Sequence, residues 1–413
     1  MTNKQMGPLQ LGGLLAGALL GSGIILLPPI AEARLGDWAV AAWAIILMLG
    51  AIFASLFARL AVAYPGSEGV PIAIREAFGQ KAGQLATNYI ICAVCVGPVA
   101  VLMTAAEAIT STFSLPATQT PAFAAVLMLL CCALLMRRVT FVSNISLMAS
   151  VIIGIILISG SITSISMAPV SPSPYTAPDI PALGSTLLLI FWAIIGWEII
   201  GNYSMEVRTP KRTIPLATII AVCVISVIYL LAGWAVHSVS NGHAEPVTVA
   251  RIVAPLLGDY ANFTVMIVTC ALCICTYLMI VGGISRLLAS LAGQKKLPQI
   301  LERTNCSGTP HIAIALFFCL HLLNLLLLQA GILSLEDIVS FANVFFISNS
   351  LIAVGAALKI FKSAAMRLAC LILCGGFICL LAFSSIWPLG IMIGVTILTL
   401  GYTNRKDIAY AEK

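Results

Sequence analysis

The chain is a series of long apolar runs separated by short polar stretches. A membrane-spanning helix needs about 20 consecutive, mostly apolar residues. Twelve runs approach or exceed this length, and no polar stretch between them is long enough to hold a soluble domain. The runs lie at 9–31, 38–62, 84–113, 121–136, 141–166, 182–204, 214–238, 260–284, 311–329, 334–358, 367–385 and 387–402. The pattern therefore predicts an all-α integral membrane protein with twelve transmembrane helices.

Basic residues are distributed unevenly between the two sides that this count defines. Twelve spans place both termini on the same side. If that side is the inner one, all of the 21 basic residues except Arg34 and Arg251 fall in inner segments. Lys and Arg are retained in short cytoplasmic loops. The sequence therefore predicts that both termini are cytoplasmic.

Composition agrees with membrane embedding. The chain is 61% hydrophobic and 9% charged, whereas soluble domains average about 45–50% apolar and about 25% charged residues. These values exclude a soluble globular domain, a disordered chain and a nucleic-acid binder. Most of the 13 cysteines lie inside apolar runs, where cysteine packs as a small hydrophobe. We find no HExxH, GxSxG or P-loop pattern, so we expect no enzyme activity, no cofactor and no metal site.

Glycines interrupt two of the predicted helices. The first run contains Gly21, Ser22 and Gly23 at mid-depth, and the sixth contains Gly196. A glycine costs a helix about 1 kcal/mol relative to alanine, and unwound backbone at this depth survives only where it lines a cavity. The small residues of the first run also suit a close helix–helix contact. Matching breaks in two halves, however, favour a transporter site.

The two interrupted helices begin two successive blocks of five. These blocks span 9–166 and 182–358, and two further helices follow at 367–402. Because five is odd, the two blocks insert with opposite topology. The sequence therefore predicts an inverted repeat with two accessory C-terminal helices.

Broken helices of this kind suit a zwitterion. Free amides at a half-helix amino end hold a carboxylate, and free carbonyls at the facing carboxyl end hold an ammonium group. Ser22 would add a hydroxyl donor, and Trp192, one turn before Gly196, would close over the ligand. The predicted ligand is an amino acid.

Two acids lie within predicted spans, Glu107 in the third and Glu198 in the sixth. An ionisable residue inside a membrane is a functional candidate by default. Glu198 adjoins a break, where desolvation would allow its carboxyl to carry a proton; alternatively, it holds loose backbone amides. Glu107 lies towards the outer end of its helix and alternatively reaches water.

Four segments resemble the amino acid–polyamine–organocation transporters. They read GLLAGALLGSGIILLPP, FARLAVAYPGSEGVPIAIREAFG, FWAIIGWEIIGNYSMEVRTPKRTIPLATII and SRLLASLAGQKKLP. The resemblance covers residues 12–310 in the expected order. It implies a LeuT-like five-plus-five inverted repeat, alternating access, and a bacterial-type cytoplasmic (inner) membrane.

The resemblance also assigns roles to individual positions. The substrate would lie between the break in the first helix and the break in the sixth helix, in contact with the residues next to each break. Trp192 would be the gating aromatic residue, and Glu198, with Glu107 as a second candidate, would couple transport to protons. The residues implied for substrate binding are Gly21, Ser22, Gly23, Ile24, Trp192, Ile195, Gly196 and Trp197.

The subfamily is divided between two resemblances. The first and sixth helices look like the basic amino acid/diamine antiporters, but Val96-Gly97-Pro98 stands where those proteins have a Gly-Asn pair. The tenth helix looks like the methionine/branched-chain amino-acid exporters. The fifth helix lacks the lysine of some proton-coupled relatives, which leaves Glu198 as the proton carrier.

A site with few polar side chains favours neutral substrates such as methionine, leucine, isoleucine or valine. A cationic amino acid/diamine antiporter and a non-transporting amino-acid sensor are the alternatives. The predicted partners are an amino acid, a proton and the lipid bilayer, with no nucleic acid. Sodium coupling and a homodimer both remain open at this stage.

Overall fold

A computed structural model describes residues 6–167, 179–240 and 247–411, with side chains described as far as residue 401. The described residues contain no strand apart from an isolated parallel bridge between Met6 and Val207. Ten of the described helical stretches are long and apolar enough to cross a membrane. The protein is therefore an all-helical, multi-pass membrane protein.

The helices are labelled in chain order, and their bounds lie close to the predicted runs. The first seven are α1 Pro8–Leu20, α2 Gly23–Leu35, α3 Ala39–Ala63, α4 Val70–Phe78, α5 Gln80–Thr112, α6 Thr120–Leu135 and α7 Val139–Met167. The remaining eight are α8 Ile180–Ile190, α9 Pro210–Ser240, α10 Val249–Leu257, α11 Ala261–Gly293, α12 His311–Gln329, α13 Leu335–Ile360, α14 Ala364–Ala382 and α15 Ile386–Ala411.

The structure corrects three details of this prediction. The outer stretch 239–259, expected to be a loop, contains the short helix α10. Helix α11 continues through Gly293 rather than ending near 284. The sixth apolar run is α-helical only as far as Ile190 and continues as two tighter 3-10 segments. The predicted connector at 167–181 lies largely outside the described residues, as do residues 241–246 of the 239–259 stretch.

Both predicted helix breaks are present in the structure. Helix α1 ends at Leu20 and α2 begins at Gly23. In the sixth run, the 3-10 segments Phe191–Ile194 and Trp197–Glu206 are separated by Ile195 and Gly196. Gly196 has φ +123°, a conformation that side chains with a Cβ rarely adopt.

The broken helices lie at the centre of the bundle. Helix α1 packs against α7, α9 and α11, and α5 packs against α11 and α13. The apolar windows of α5 and α11 are mostly buried, whereas those of α6, α12 and α14 are mostly exposed on the outside of the bundle. Helices α1, α5, α11 and α13 therefore surround the region where the breaks lie.

Candidate functional site

The two helix breaks face each other across a small cavity of about 20 Å³. The indole Nε1 of Trp192 donates a hydrogen bond to Ser22 Oγ at 3.2 Å. This bond joins the 3-10 segment that follows α8 to the break between α1 and α2. The space that remains holds about one water molecule, so the site is nearly closed.

The cavity brings together five of the eight residues predicted to bind substrate. Gly21, Ser22, Gly23, Trp192 and Ile195 line it. The other three do not line it: Gly196 forms the turn directly after Ile195, while Ile24 and Trp197 are buried in the surrounding core.

Three other helices complete the walls of the cavity. Helix α5 contributes Gly97, Pro98 and Val101; α11 contributes Thr276 and Ile280; α13 contributes Phe346. In the sequence, Thr276 is recognisable as a hydroxyl residue within an apolar run, and Gly97-Pro98 as an unusual pair within the third run. It carried no signal for Phe346, which is one of many phenylalanines in apolar runs. No acidic or basic side chain is among the described residues that line this cavity.

The first break exposes both backbone carbonyls, which accept hydrogen bonds, and backbone amides, which donate them. Carbonyls at the end of α1 accept from hydroxyls: Ala18 from Thr276 at 2.6 Å, and Leu19 and Leu20 from Tyr229 at 3.3 and 3.2 Å. The first amides of α2 have no partner within their own helix. The amino end of α2 can therefore hold an anion, while the α1 carbonyls each retain one lone pair for a further donor.

Glu198 lies directly behind the second break. Its side chain is 2% exposed, and its Oε2 accepts from the Gly196 amide at 3.2 Å. Its Oε1 has no hydrogen-bond partner, and no ion pair with it occurs in the described part of the chain. Glu198 therefore holds a loose amide of the break, as one reading of the sequence predicted, and also keeps one carboxyl oxygen free.

Glu107 lies apart from this cavity. Its side chain is exposed and lines a separate cavity of about 540 Å³, together with Thr104, Thr248 and Asn262. The structure therefore does not bring the two acids together, and the side chain of Glu107 is exposed.

A larger cavity approaches the site from the end of the bundle at which Arg34 lies, here called the Arg34 face. It measures about 430 Å³ and is lined by Arg34, Glu336 and Asn343 among others. Ser22 and Trp192 line both this cavity and the small one. The Trp192–Ser22 bond thus lies between the site and the cavity at the Arg34 face.

The opposite end of the bundle, here called the Met6 face, is closed by polar contacts. Glu68, in the loop before α4, binds Arg75 at 2.9 Å and accepts from Gln294, at the end of α11, at 2.6 Å. Burial alone would raise the pKa of Glu68, but the hydrogen bonds from Arg75 and Gln294 outweigh it, and the pKa lies below its ordinary value. The carboxylate therefore ties the α3–α4 loop to α11.

The same loop is also tied to the sixth-run segment. Asn202 donates to the carbonyl of Ser67 at 2.8 Å, and the amide of Gly66 donates to Ser204 at 2.9 Å. Gly201 packs so closely against Gly69 that a Cβ added at Gly201 would lie 2.9 Å from the Gly69 Cα. At the Met6 face, the α3–α4 loop is thus held to both α11 and the sixth-run segment. Towards the Arg34 face, the Trp192–Ser22 hydrogen bond lies between the site and the larger cavity.

Comparison with known proteins assigns the chain to a family. Residues 6–402 match the family model described as amino acid permease. The chain belongs to the amino acid permease family. The permease is therefore a membrane protein of a transporter family, with an amino acid as its class of substrate.

Three relatives illustrate the range of the family. The chain is 24% identical to the L-methionine/branched-chain amino acid exporter YjeH of Escherichia coli (strain K12), over 93% of this chain and 92% of the relative. It is 28% identical to the cadaverine/lysine antiporter of the same strain, over 74% and 71%. It is 22% identical to the amino acid permease YecA of Bacillus subtilis (strain 168), over 84% and 83%. Both kinds of transporter that the sequence resembled are thus among its relatives.

Proposed function

We propose that this permease exports or exchanges neutral, apolar amino acids by alternating access, with methionine, leucine, isoleucine and valine as substrates. The observation that carries the proposal is the composition of the small cavity. Around the two breaks, its side chains are apolar except for Ser22 and Thr276. A cationic side chain there would be buried without a counter-charge, which is costly. Once the cavity widens from its present volume to admit substrate, an aliphatic side chain would contact Val101, Ile280 and Phe346.

The backbone of the breaks supports the binding of a zwitterion. The unpaired amides at the start of α2 suit the substrate carboxylate. The ammonium group would be held by carbonyls at the end of α1 and around Ile195. The broken helices thus recognise the part that all amino acids share, and the apolar wall selects the side chain.

The helix bounds support a particular membrane arrangement. Twelve crossings result when α1 with α2, and α8 with the 3-10 segments that follow it, are each counted as one broken span and the nine-residue helices α4 and α10 are not counted. We propose a LeuT-like inverted repeat at 9–166 and 182–358 with accessory helices at 367–402. The distribution of basic residues supports cytoplasmic termini in a bacterial-type inner membrane. In that orientation, the Met6 face is cytoplasmic, and the Trp192–Ser22 bond lies between the nearly closed site and the cavity on the outer side.

Proton coupling through Glu198 is part of the proposal. Three features of Glu198 support this role: its position at the second break, its burial and its unpaired Oε1. A proton taken up there would weaken the hold of the carboxylate on the Gly196 amide, and so alter the geometry of the break.

A cationic amino acid/diamine antiporter is the second candidate. It is favoured by the relationship to the cadaverine/lysine antiporter and by two acids that line the larger cavities, Glu336 at the Arg34 face and Glu107 in the 540 Å³ cavity. These acids lie outside the small cavity. A cation would therefore meet them on its way in rather than at the site.

The test is counterflow in proteoliposomes loaded with labelled leucine or methionine. Panels of unlabelled amino acids and diamines are added outside, with and without a pH or sodium gradient. We expect competition by methionine and branched-chain residues, and faster flux under a pH gradient. Competition only by lysine, arginine or cadaverine would overturn the substrate proposal. Ligand-induced thermal stabilisation without any flux would instead identify a sensor.

A further inference from the structure

Helix α5 carries a proline at the wall of the small cavity. Pro98 has no amide hydrogen, so the carbonyl four residues earlier, that of Val94, loses its helical donor. The proline ring also pushes the preceding turn open, which weakens the hydrogen bonds of neighbouring carbonyls. Within a membrane, such freed carbonyls must find partners in neighbouring helices.

Helix α12 supplies donors to this turn. His321 Nε2 lies 2.7 Å from the carbonyl of Val94, and Asn324 Nδ2 donates to the carbonyl of Cys95 at 3.0 Å. A carbonyl only accepts, so the hydrogen of the His321 ring is on Nε2. The two donors, three residues apart on one face of α12, thus bind two consecutive carbonyls in the turn before Pro98.

The ring of His321 is held in place from its other side. Its Nδ1 lies 2.9 Å from the hydroxyl of Tyr277 on α11, and the ring stacks on Phe317. The side chain is fully buried. Tyr277 follows Thr276, which lines the cavity and donates to the carbonyl of Ala18. One set of hydrogen bonds therefore links α5, α11 and α12 around the site.

We propose that His321 is a positioning residue that sets side-chain selectivity. With Asn324, it fixes the turn of α5 before Pro98 and thereby the placement of Gly97, Pro98 and Val101 against the substrate side chain. His321 does not line the cavity itself. This inference rests on the proposed transport function, because selectivity is its readout.

The arrangement fits positioning better than general packing. A residue needed only for burial would not require two matched donors at a proline turn. Gly97 approaches Ala342 of α13 so closely that an added Cβ would lie 3.0 Å from its methyl group. A small change in the kink angle would therefore shift this wall of the cavity.

The test compares KM values for methionine, leucine, valine, lysine and arginine in proteoliposomes. His321→Leu removes the donor, whereas His321→Gln places an amide nitrogen where Nε2 was. We expect His321→Leu to change the KM ratio between two substrates by about threefold or more, the size of one lost neutral hydrogen bond, and His321→Gln to restore it. His311→Leu, on the same helix at its amino end, is the control and should leave the ratio unchanged.

A double-mutant cycle separates positioning from stability. Pro98→Ala returns an amide hydrogen that can bond to the Val94 carbonyl. In that background His321→Leu should therefore change the ratio less than in the wild type. Equal effects in both backgrounds, or a lower melting temperature and Vmax with unchanged ratios, would overturn the inference.

Two further conditions keep this test decisive. If His321→Leu fails to fold, His321→Asn, whose amide lies near the Nδ1 position, replaces it. If the wild type transports only cationic substrates, the proposed substrate class fails, and the inference is then judged on the lysine/arginine ratio. The two failures are thus distinguishable.

Discussion

The bond between Trp192 and Ser22 should control how fast substrate leaves towards the Arg34 face. It joins two residues that line both the small cavity and the 430 Å³ cavity. Trp192→Phe keeps an aromatic ring over the site but removes the Nε1 donor. Ser22→Ala removes the acceptor and keeps the Cβ. Each substitution therefore deletes the same bond from a different side.

The size of the effect follows from one neutral hydrogen bond. Its net contribution is about 0.5–1.5 kcal/mol, which corresponds to about a 2- to 13-fold change in a rate or equilibrium constant at 25 °C. The bond must break before substrate leaves by this route, so its loss lowers the barrier. We expect each single variant to release substrate about 2- to 13-fold faster, with the double variant no faster than the quicker single variant.

Dissociation of labelled leucine or methionine from purified protein, followed after dilution into unlabelled substrate, measures this rate. The four proteins form a double-mutant cycle. Additive effects of the two substitutions would show that the residues act independently, and would refute the assignment of the bond as the gate. Unchanged release rates in both single variants would refute it as well.

Three further predictions concern the second break and the Met6 face. Glu198→Gln should flatten the pH dependence of counterflow; an unaltered pH profile would assign the carboxyl a structural role only. Gly196→Ala should lower the melting temperature, because φ +123° costs a non-glycine residue about 1–3 kcal/mol, and it should also slow flux. The control is Gly258→Ala, at a glycine with φ +54° and no neighbour near an added Cβ; it should lower the melting temperature without slowing flux. The Glu68 carboxylate has a lowered pKa, so its contribution to stability is present above its ordinary pKa of 4.5 and is lost as the pH falls through the lowered value. Thermal unfolding measured across pH should show this loss of stability. The loss should be smaller in Glu68→Gln.

The helices of this protein could be predicted from the sequence because insertion depends mainly on local properties. A run of about 20 apolar residues is sufficient for a spanning helix, whatever its neighbours. The breaks at Gly21–Gly23 and Gly196 were predictable for the same reason, since glycine weakens a helix within its own turn. The family resemblance rested on these same local motifs, and the match over residues 6–402 confirmed it.

The walls of the site were decided by tertiary structure. Gly97, Thr276 and Phe346 lie far apart in the chain and meet only because α5, α11 and α13 pack around α1. Hydropathy alone does not show which face of a uniformly apolar helix points inward, because lipid and protein interior are both apolar. The exclusion of Ile24 and Trp197 from the cavity could likewise not be predicted from the sequence.

His321 shows the same division. From the sequence it is a lone histidine in an apolar run, and Pro98 is a proline in a helix of another part of the chain. The sequence determines that Pro98 frees the Val94 carbonyl, because that follows from covalent structure. Only the packing of α12 against α5 decides that His321 donates a hydrogen bond to this carbonyl, since a bond between distant residues depends on where the helices lie in three dimensions.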